Sequence, residues 1–561
     1  MAETPRRFDR PKAVARLAEA CIDRGMREYD PTCGFMVTRE RDSDQATGDV
    51  MATLSLACGI LHWSDDERRA AAFNMLEAVL AQQRTQAGHV HEGNFPWIAD
   101  ADMSDDLDFN VAAFAGNTLA IMLAVDPRGG ADWPTDLRQQ TLDALVLAAG
   151  SCLRRQVPAT YSNIACLSAS TLVLAGEMAD RPELLQTGRQ LIGCMAEQWR
   201  QIGAPYEFLS PTYAAVMFSG LLALRHLATD PEATELARAA LSILWRHIAR
   251  HYHAPTGQLG GAQSRCYDDI NTGGVLWYVA TALAEHELAA PPLPIEPHPM
   301  AIPATILPSC CPAILLREMA QPPIEPITVS ELVERIGETP VYFGYHTRPP
   351  ALRGEAPPPA VRDAIVPRAR VIRSHRDGPV CIGSVNEIDV WCQRRGWQAF
   401  VRHNQAVYNV MFDVRVEAAH ENARWLWKMA LTQRWRQDDH SCCGTLETAP
   451  IRNGWLLGSH WTEHLHGPCP LTRLVAGLRW SRLPLDAPEP TADVSSWSVG
   501  DHSLTWRVQI VGGPLAIVDA QPVVKPGRVV WFRAEAPAWN WPAHAEMNPI
   551  MTCRLEWRTR R

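Results

Sequence analysis

Through the first 290 residues, apolar positions return at the three-to-four-residue interval of helices that bury one face. They fall in ten segments, at 12–26, 44–62, 65–85, 105–126, 134–155, 161–179, 182–201, 210–228, 231–251 and 270–287. Asp44 and Ser210 are candidate N-caps, Pro134 and Pro211 suit first turns, and Asp65 and Asp66 complement a helix dipole. The short connections make antiparallel hairpins the simplest arrangement. From Pro291 to Pro326 eleven prolines interrupt the pattern, more than a helix or central strand accommodates, so this stretch reads as a linker or a belt on the surface. Beyond it come short runs rich in Val, Ile and Trp, at 341–346, 378–384, 388–392, 397–402, 407–416, 454–459, 472–480, 504–510, 514–520 and 527–534. Fourteen of the twenty Trp lie after residue 390, enough large rings to fill a sheet-on-sheet core. The pattern predicts a multidomain α and β protein: helical hairpins over 1–290, a proline-rich linker over 291–326, and an antiparallel β-sandwich over 327–561.

Composition narrows the class. With 47% hydrophobic and 20% charged residues among 561, the chain has apolar material for large cores and lacks the signature of disorder. A net charge of −9 without a basic block argues against a nucleic-acid partner, and an anionic substrate would need a local basic pocket. No apolar run suits a membrane span or a secretory signal. Fifteen cysteines, an odd number scattered without a CxxC pair, fit reduced thiols, so a cytoplasmic location is expected. GxGxxG, GxxxxGK[ST] and GxSxG are all missing, which argues against a nucleotide cofactor and a nucleophile elbow.

In a hairpin array the chain returns to one rim at every second helix. The most polar, aromatic and glycine-interrupted segments, 88–110, 158–163, 205–213 and 257–269, open alternate helices and so share a face. Their side chains His89, His91, Glu92, Asn94, Asn163, Tyr206, Glu207, Tyr213, Arg265, Tyr267 and Asp268 would line a polar pocket at the mouth of a helical ring.

The runs Gly93-Asn94-Phe95-Pro96-Trp97, Tyr161-Ser162-Asn163, Tyr206 to Tyr213, Gly257-Gln258 and Ser264-Arg265-Cys266-Tyr267 resemble heparinase II/III-like and related polysaccharide lyases. The resemblance implies an incomplete (α/α) toroid of helical hairpins followed by antiparallel sheets across nearly the whole chain. It implies β-elimination of a uronate-containing oligosaccharide or polysaccharide, with no cofactor. Asn163 would bind the carboxylate or its enolate-like intermediate, Arg265 would supply fixed charge, and Tyr213 and His91 would move protons. Glu92, Trp97, Tyr161, Tyr206, Glu207, Tyr267, Asp268 and His403 would bind substrate, His403 by reaching over the mouth from the second half. Leu209, Ala214, Ala215 and Gln263 stand where similar proteins are more polar.

Ordinary roles stand beside these. Asn163 suits a helix N-cap, Tyr213 a core tyrosine, Arg265 a loop anchor, and His91 and His403 structural histidines. Glu92, Asp106, Asp108, Glu207 and Asp268 would furnish the carboxylate pair of a glycoside hydrolase on the same scaffold, although acidic residues opening a helix are common dipole partners. A glycan-binding protein without turnover is a third reading. Asp438 to Cys443 and His460 to His466 look like metal-ligand clusters but lack zinc-finger or HExxH spacing, so no metal is expected. The oligomeric state, homo-oligomer included, stays open.

Overall fold

The computed structural model describes residues 8–39, 46–64, 66–101, 108–128, 131–288, 293–336, 368–388, 393–418, 431–439, 441–448, 470–480, 494–499, 502–510, 516–517, 534–535, 539–540 and 549–559. The helices are α1 (Lys12–Glu28), α2 (Val50–Trp63), α3 (Asp66–Leu80), α4 (Val111–Val125), α5 (Leu137–Arg155), α6 (Ser162–Met178), α7 (Pro182–Ile202), α8 (Pro211–Leu227), α9 (Pro231–His251), α10 (Val275–Glu285), α11 (Pro303–Ile306) and α12 (Ala313–Ala320).

Their surfaces sort them into two layers. Nearly every residue of α2, α4, α6 and α10 is buried, whereas α1, α7 and α9 bury one face only. The apolar row runs α2, α4, α6, α8, α10 by mutual contact, and α10 also meets α1. On its outside α3 lies on α2, α5 on α4 and α6, α7 on α6, and α9 on α7 and α8. A helix buried on all sides needs partners on all sides, which this arrangement supplies. No described helix is long and apolar enough to cross a membrane.

Four helices start three or more residues later than the periodicity predicts; α5, expected from Pro134, begins at Leu137, with Pro134 before its cap Asp136. Residues 46–49, expected at the start of the second helix, instead form β3 (Ala46–Asp49) of a small sheet with β1 (Tyr29–Asp30) and β2 (Phe35–Arg39), so the cap of α2 is Asp49, which accepts from Ala52 N, and not Asp44. The helix placed at 105 begins at Val111, where Ala112 N donates to Asn94 Oδ1. The helix placed at 270 begins at Val275, because Asn271 is held by Gln258, the first residue of the hairpin β4 (Tyr252–His253) and β5 (Gln258–Leu259).

The proline-rich stretch is more than a surface connection. Its Ile302, Ile306, Leu307, Leu316 and Met319 are buried, and α11 packs on α1, α2, α8 and α10. Prolines sit at N1 of short helices, where the missing N–H costs nothing.

Thereafter come β6 (Ile327–Ile336), β7 (Arg368–Asp377), β8 (Val380–Val385), β9 (Trp397–His403), β10 (Ala406–Ala418), β11 (Leu431–Gln437), β12 (Ser441–Thr448), β13 (Pro470–Trp480), β14 (Val494–Val499), β15 (His502–Ile510), β16 (Ala516–Ile517), β17 (Ala534–Glu535), β18 (Trp539–Asn540) and β19 (Pro549–Thr559). One antiparallel sheet has the order β16-β17-β13-β10-β9-β8-β7-β6 with β18 on β13, and a second has β11-β12-β19-β15-β14. Trp435 of the second meets Trp397 and Phe412 of the first, at ring-centroid distances of 6.0 and 5.2 Å. The runs expected at 341–346 and 454–459 lie outside the described residues.

Candidate active site

Three of the four polar segments meet. Glu207, in the turn between α7 and α8, is fully buried, and its Oε2 accepts from both the backbone N (2.8 Å) and Nδ2 (2.6 Å) of Asn163 in the first turn of α6. The carboxylate thus caps α6, where a negative charge is favoured. Its Oε1 accepts from Arg265 Nη1 at 3.1 Å. Arg265, 2% exposed, sends Nη2 to the Tyr267 hydroxyl at 3.0 Å and lies 3.8 Å over the ring of Tyr213. The two phenolic hydroxyls are 2.7 Å apart.

The electrostatics follow from burial. Desolvation pushes the Tyr213 hydroxyl far up, against the pull of Arg265, so it carries its proton at neutral pH. Desolvation opposes the charge of Arg265, but the oxygens of Tyr213, Tyr161, Glu207 and Tyr267 outweigh it and keep the guanidinium charged. Tyr161 is buried and its hydroxyl accepts from Asn110 Nδ2 at 3.4 Å. Four buried atoms at this corner, Asn163 Oδ1, Ser162 Oγ, Thr160 Oγ1 and Asn110 Oδ1, have no hydrogen-bond partner among the described residues, and each would take one from water or a ligand.

The helices α2, α4, α6, α8 and α10 line a cavity of about 250 Å³, with Met51, Phe114, Asn117, Leu167, Thr212, Val216, Trp277 and Tyr278 among its walls. The chamber is largely apolar, and two of its lining residues neighbour the polar cluster along the chain: Leu167 is one turn past Asn163 on α6, and Thr212 precedes Tyr213 on α8. Asn117 accepts from Ser170 Oγ and donates to Ser219 Oγ.

The fourth segment forms a neighbouring cluster. His91 is buried, stacked on Phe109 at 4.1 Å, with Nδ1 facing Asn94 Nδ2 at 3.4 Å. Asn94 Nδ2 donates to Asp108 O, and Asn110 leads on to Tyr161. His91 is therefore connected to the tyrosines through intermediaries. Glu92 is engaged by Arg154 and Gly88 N, and Trp97 donates to Asp108 Oδ2. Tyr206 is buried on the Glu207 turn, whereas Asp268 projects outward beside Tyr267, which is 49% exposed. His403 ends β9 opposite Ala406, while its neighbour Arg402 donates to Pro255 O. Asp106, His440 and 460–466 lie outside the described residues. Asp438 accepts from Ser441, and Asp439 accepts from Thr328 and Arg373.

The Arg265 segment is stitched to the strands. Gln263 and Arg395 exchange backbone hydrogen bonds, Cys266 N donates to Gln393 O, Gln398 Nε2 donates to Gly261 O, and Asp269 pairs with Arg395 and Arg479. Ser264, Asn110, Arg395 and Gln398 belong to the site's support, and of these Ser264 and Asn110 fall in segments singled out from the sequence, 257–269 and 88–110. The cysteines whose side chains are described, among them Cys166, Cys266 and Cys381, are free thiols.

Residues 16–287 match the family model of a domain of unknown function (DUF8769), which ends near the end of α10. No curated protein matches the chain. Among solved structures it is similar to heparinase III, with a TM-score of 0.43 and 9% identity over 98% of this chain and 86% of that one. A mutant chondroitin AC lyase of Streptomyces coelicolor A3 gives 0.34 and 11% over 97% and 79%, and a glycoside hydrolase gives 0.29 and 8% over 100% and 96%. Likenesses this distant carry no residue's role across.

Proposed function

We propose that this protein is a lyase that cleaves a uronate-containing glycan by β-elimination at Asn163, Tyr213 and Arg265. The helical half is read as an incomplete (α/α) toroid over 1–290 and the strands as a β-sandwich over 327–561, separated by the segment 291–326. The order of the buried helix row and the Trp397–Trp435–Phe412 contacts support that architecture.

The Tyr213–Tyr267 hydroxyl pair seated on Arg265 carries the mechanism. Elimination removes the proton at C5, breaks the bond from C4 to the departing oxygen, and forms the C4–C5 double bond. Arg265 and the second Nδ2 hydrogen of Asn163, not used by Glu207, are donors for the uronate carboxylate as negative charge spreads into it. Tyr213, protonated, gives its hydroxyl proton to the departing oxygen while Tyr267, acting as a phenolate beside Arg265, takes the C5 proton, and transfer of that proton across the hydroxyl pair to Tyr213 restores both groups. Convergent helix N-termini favour an anionic ligand in the same place. His91, behind Phe109, supports the Asn94 and Asn110 side of the rim. A hydrolase would need two carboxylates facing one another across substrate. Glu207 is instead committed to three donors, which favours elimination.

The test is a panel of uronate oligosaccharides followed by ultraviolet absorbance of the unsaturated product and by a reducing-end assay. Absorbance rising with new ends supports the lyase. New ends without absorbance refute it in favour of hydrolysis, and binding without either signal marks a glycan-binding protein.

A further inference from the structure

The turn that carries Glu207 is braced from behind by groups the elimination does not use. Phe208 O accepts from Ser264 N (3.1 Å) and Oγ (2.8 Å). Leu209 has φ +45°, a left-handed conformation unfavourable for a residue with a Cβ, and its N–H donates to His247 Nε2 at 3.1 Å. Because Nε2 accepts, the ring proton of a neutral His247 sits on Nδ1, which donates to Glu331 Oε2 at 2.6 Å. Glu331 comes from β6, on the far side of the proline-rich segment. It also takes His251 Nε2 at 3.0 Å and Arg250 Nη1 at 3.1 Å, and His251 Nδ1 faces Ser374 Oγ of β7 at 2.8 Å. His247 and His251 are wholly buried.

The ligand atoms of His247, His251 and Glu331 lie within 4.8 Å of one another, a spacing that also suits a metal ion. A metal on His247 Nδ1 would move the ring proton to Nε2, directly against the Leu209 N–H. The hydrogen-bond directions close the cluster as a brace.

We propose that His247 and Glu331 are positioning residues of the site: the strand-borne carboxylate orients the imidazole that holds Leu209, and thereby fixes Glu207 against Asn163 and Arg265. Docking of β6 on α9 then sets the geometry of the rim. This rests on the reading of the Glu207 network as catalytic.

The experiment compares full-length wild type, His247→Leu, His247→Gln and Glu331→Gln by amide hydrogen exchange of peptides covering 205–213 and 158–163, alongside turnover on the oligosaccharide panel. His247→Leu is expected to speed exchange at 205–213 about tenfold and to lower kcat by a similar factor with little change in KM. His247→Gln, whose amide oxygen accepts the same N–H, is expected to recover most of both. Unchanged exchange at 205–213 in a folded His247→Leu protein, or equal behaviour of Leu and Gln, overturns the proposal. A transition metal bound one per chain in wild type and lost in Glu331→Gln also overturns it. Should His247→Leu not fold, Glu331→Gln against wild type decides by the same exchange criterion. Altered exchange with no turnover in any protein keeps the brace and refutes the lyase.

Discussion

At the scale of single residues, the site turns on one buried ion pair. Arg265 and Glu207 are 2% and 0% exposed, so neither charge has water to fall back on. Glu207→Ala leaves the guanidinium buried without its carboxylate and removes the acceptor for Asn163. The expected loss is about 3–5 kcal/mol of stability, read from urea denaturation, with Glu207→Gln losing less because its amide oxygen still accepts. Tyr213→Phe separates chemistry from stability. The ring stays beneath Arg265 and only the hydroxyl facing Tyr267 is lost, so the denaturation midpoint should barely move while kcat falls about 10²–10⁴-fold. A Tyr213→Phe protein with normal turnover would remove the phenol from the reaction.

At the scale of elements, the seam between the strands and the 257–269 segment is tight. A Cβ on Gly383 of β8 would lie 2.2 Å from Gly260 O and 2.5 Å from Gly261 Cα, and backbone on both sides cannot yield as a flexible side chain does. Gly383→Ala should therefore cost about 1–3 kcal/mol and loosen the loop that delivers Arg265, seen as faster proteolysis or exchange within 257–269. Local chemistry made much of this architecture legible. Buried faces repeat along each helix, and Ser210 caps α8 by accepting from Tyr213 N, as its position before Pro211 predicted. The convergence of 158–163, 205–213 and 257–269 followed from helix order alone. Contacts between distant positions were not legible. Glu331 bonds a histidine 84 residues earlier, and Gln398 reaches Gly261 across 137. The strands β6 and β7 escaped notice for a related reason. Glu331, Glu334 and Arg370 are buried within them, breaking the apolar alternation by which strands are read, and they are tolerated there because each has a partner.

At the scale of the whole molecule, the junction between the end of α9, its hairpin and the strands holds two buried histidines, His251 and His253, whose protonation burial opposes. Burial pushes His251, between Glu331 and Ser374, down to about 4 despite the carboxylate, with His247 and Arg376 adding to the depression. It pushes His253, between Thr256 and Gly378 O, down to about 3. The unfolded chain takes up protons on both near pH 6.5, whereas the folded chain resists until pH 4 or below. In that window the unfolded state binds more protons, so stability falls as pH falls. Glu331 acts in the same direction at lower pH. Burial alone would raise its carboxyl, but His247 and His251 hold it well below the ordinary range, so stability is lost once unfolded carboxylates begin to protonate. The melting temperature should therefore be nearly flat from pH 8 to 7 and drop steeply toward pH 4, by an amount corresponding to a few kcal/mol per histidine. His253→Gln, which has no such titration, should flatten part of the slope. Because these groups lie where β6–β8 meet α9 and the 252–259 hairpin, acid should release the brace on Leu209 before the helical core melts, and activity should decline at a higher pH than helical circular dichroism. If both are lost at the same pH, the junction does not open ahead of the core.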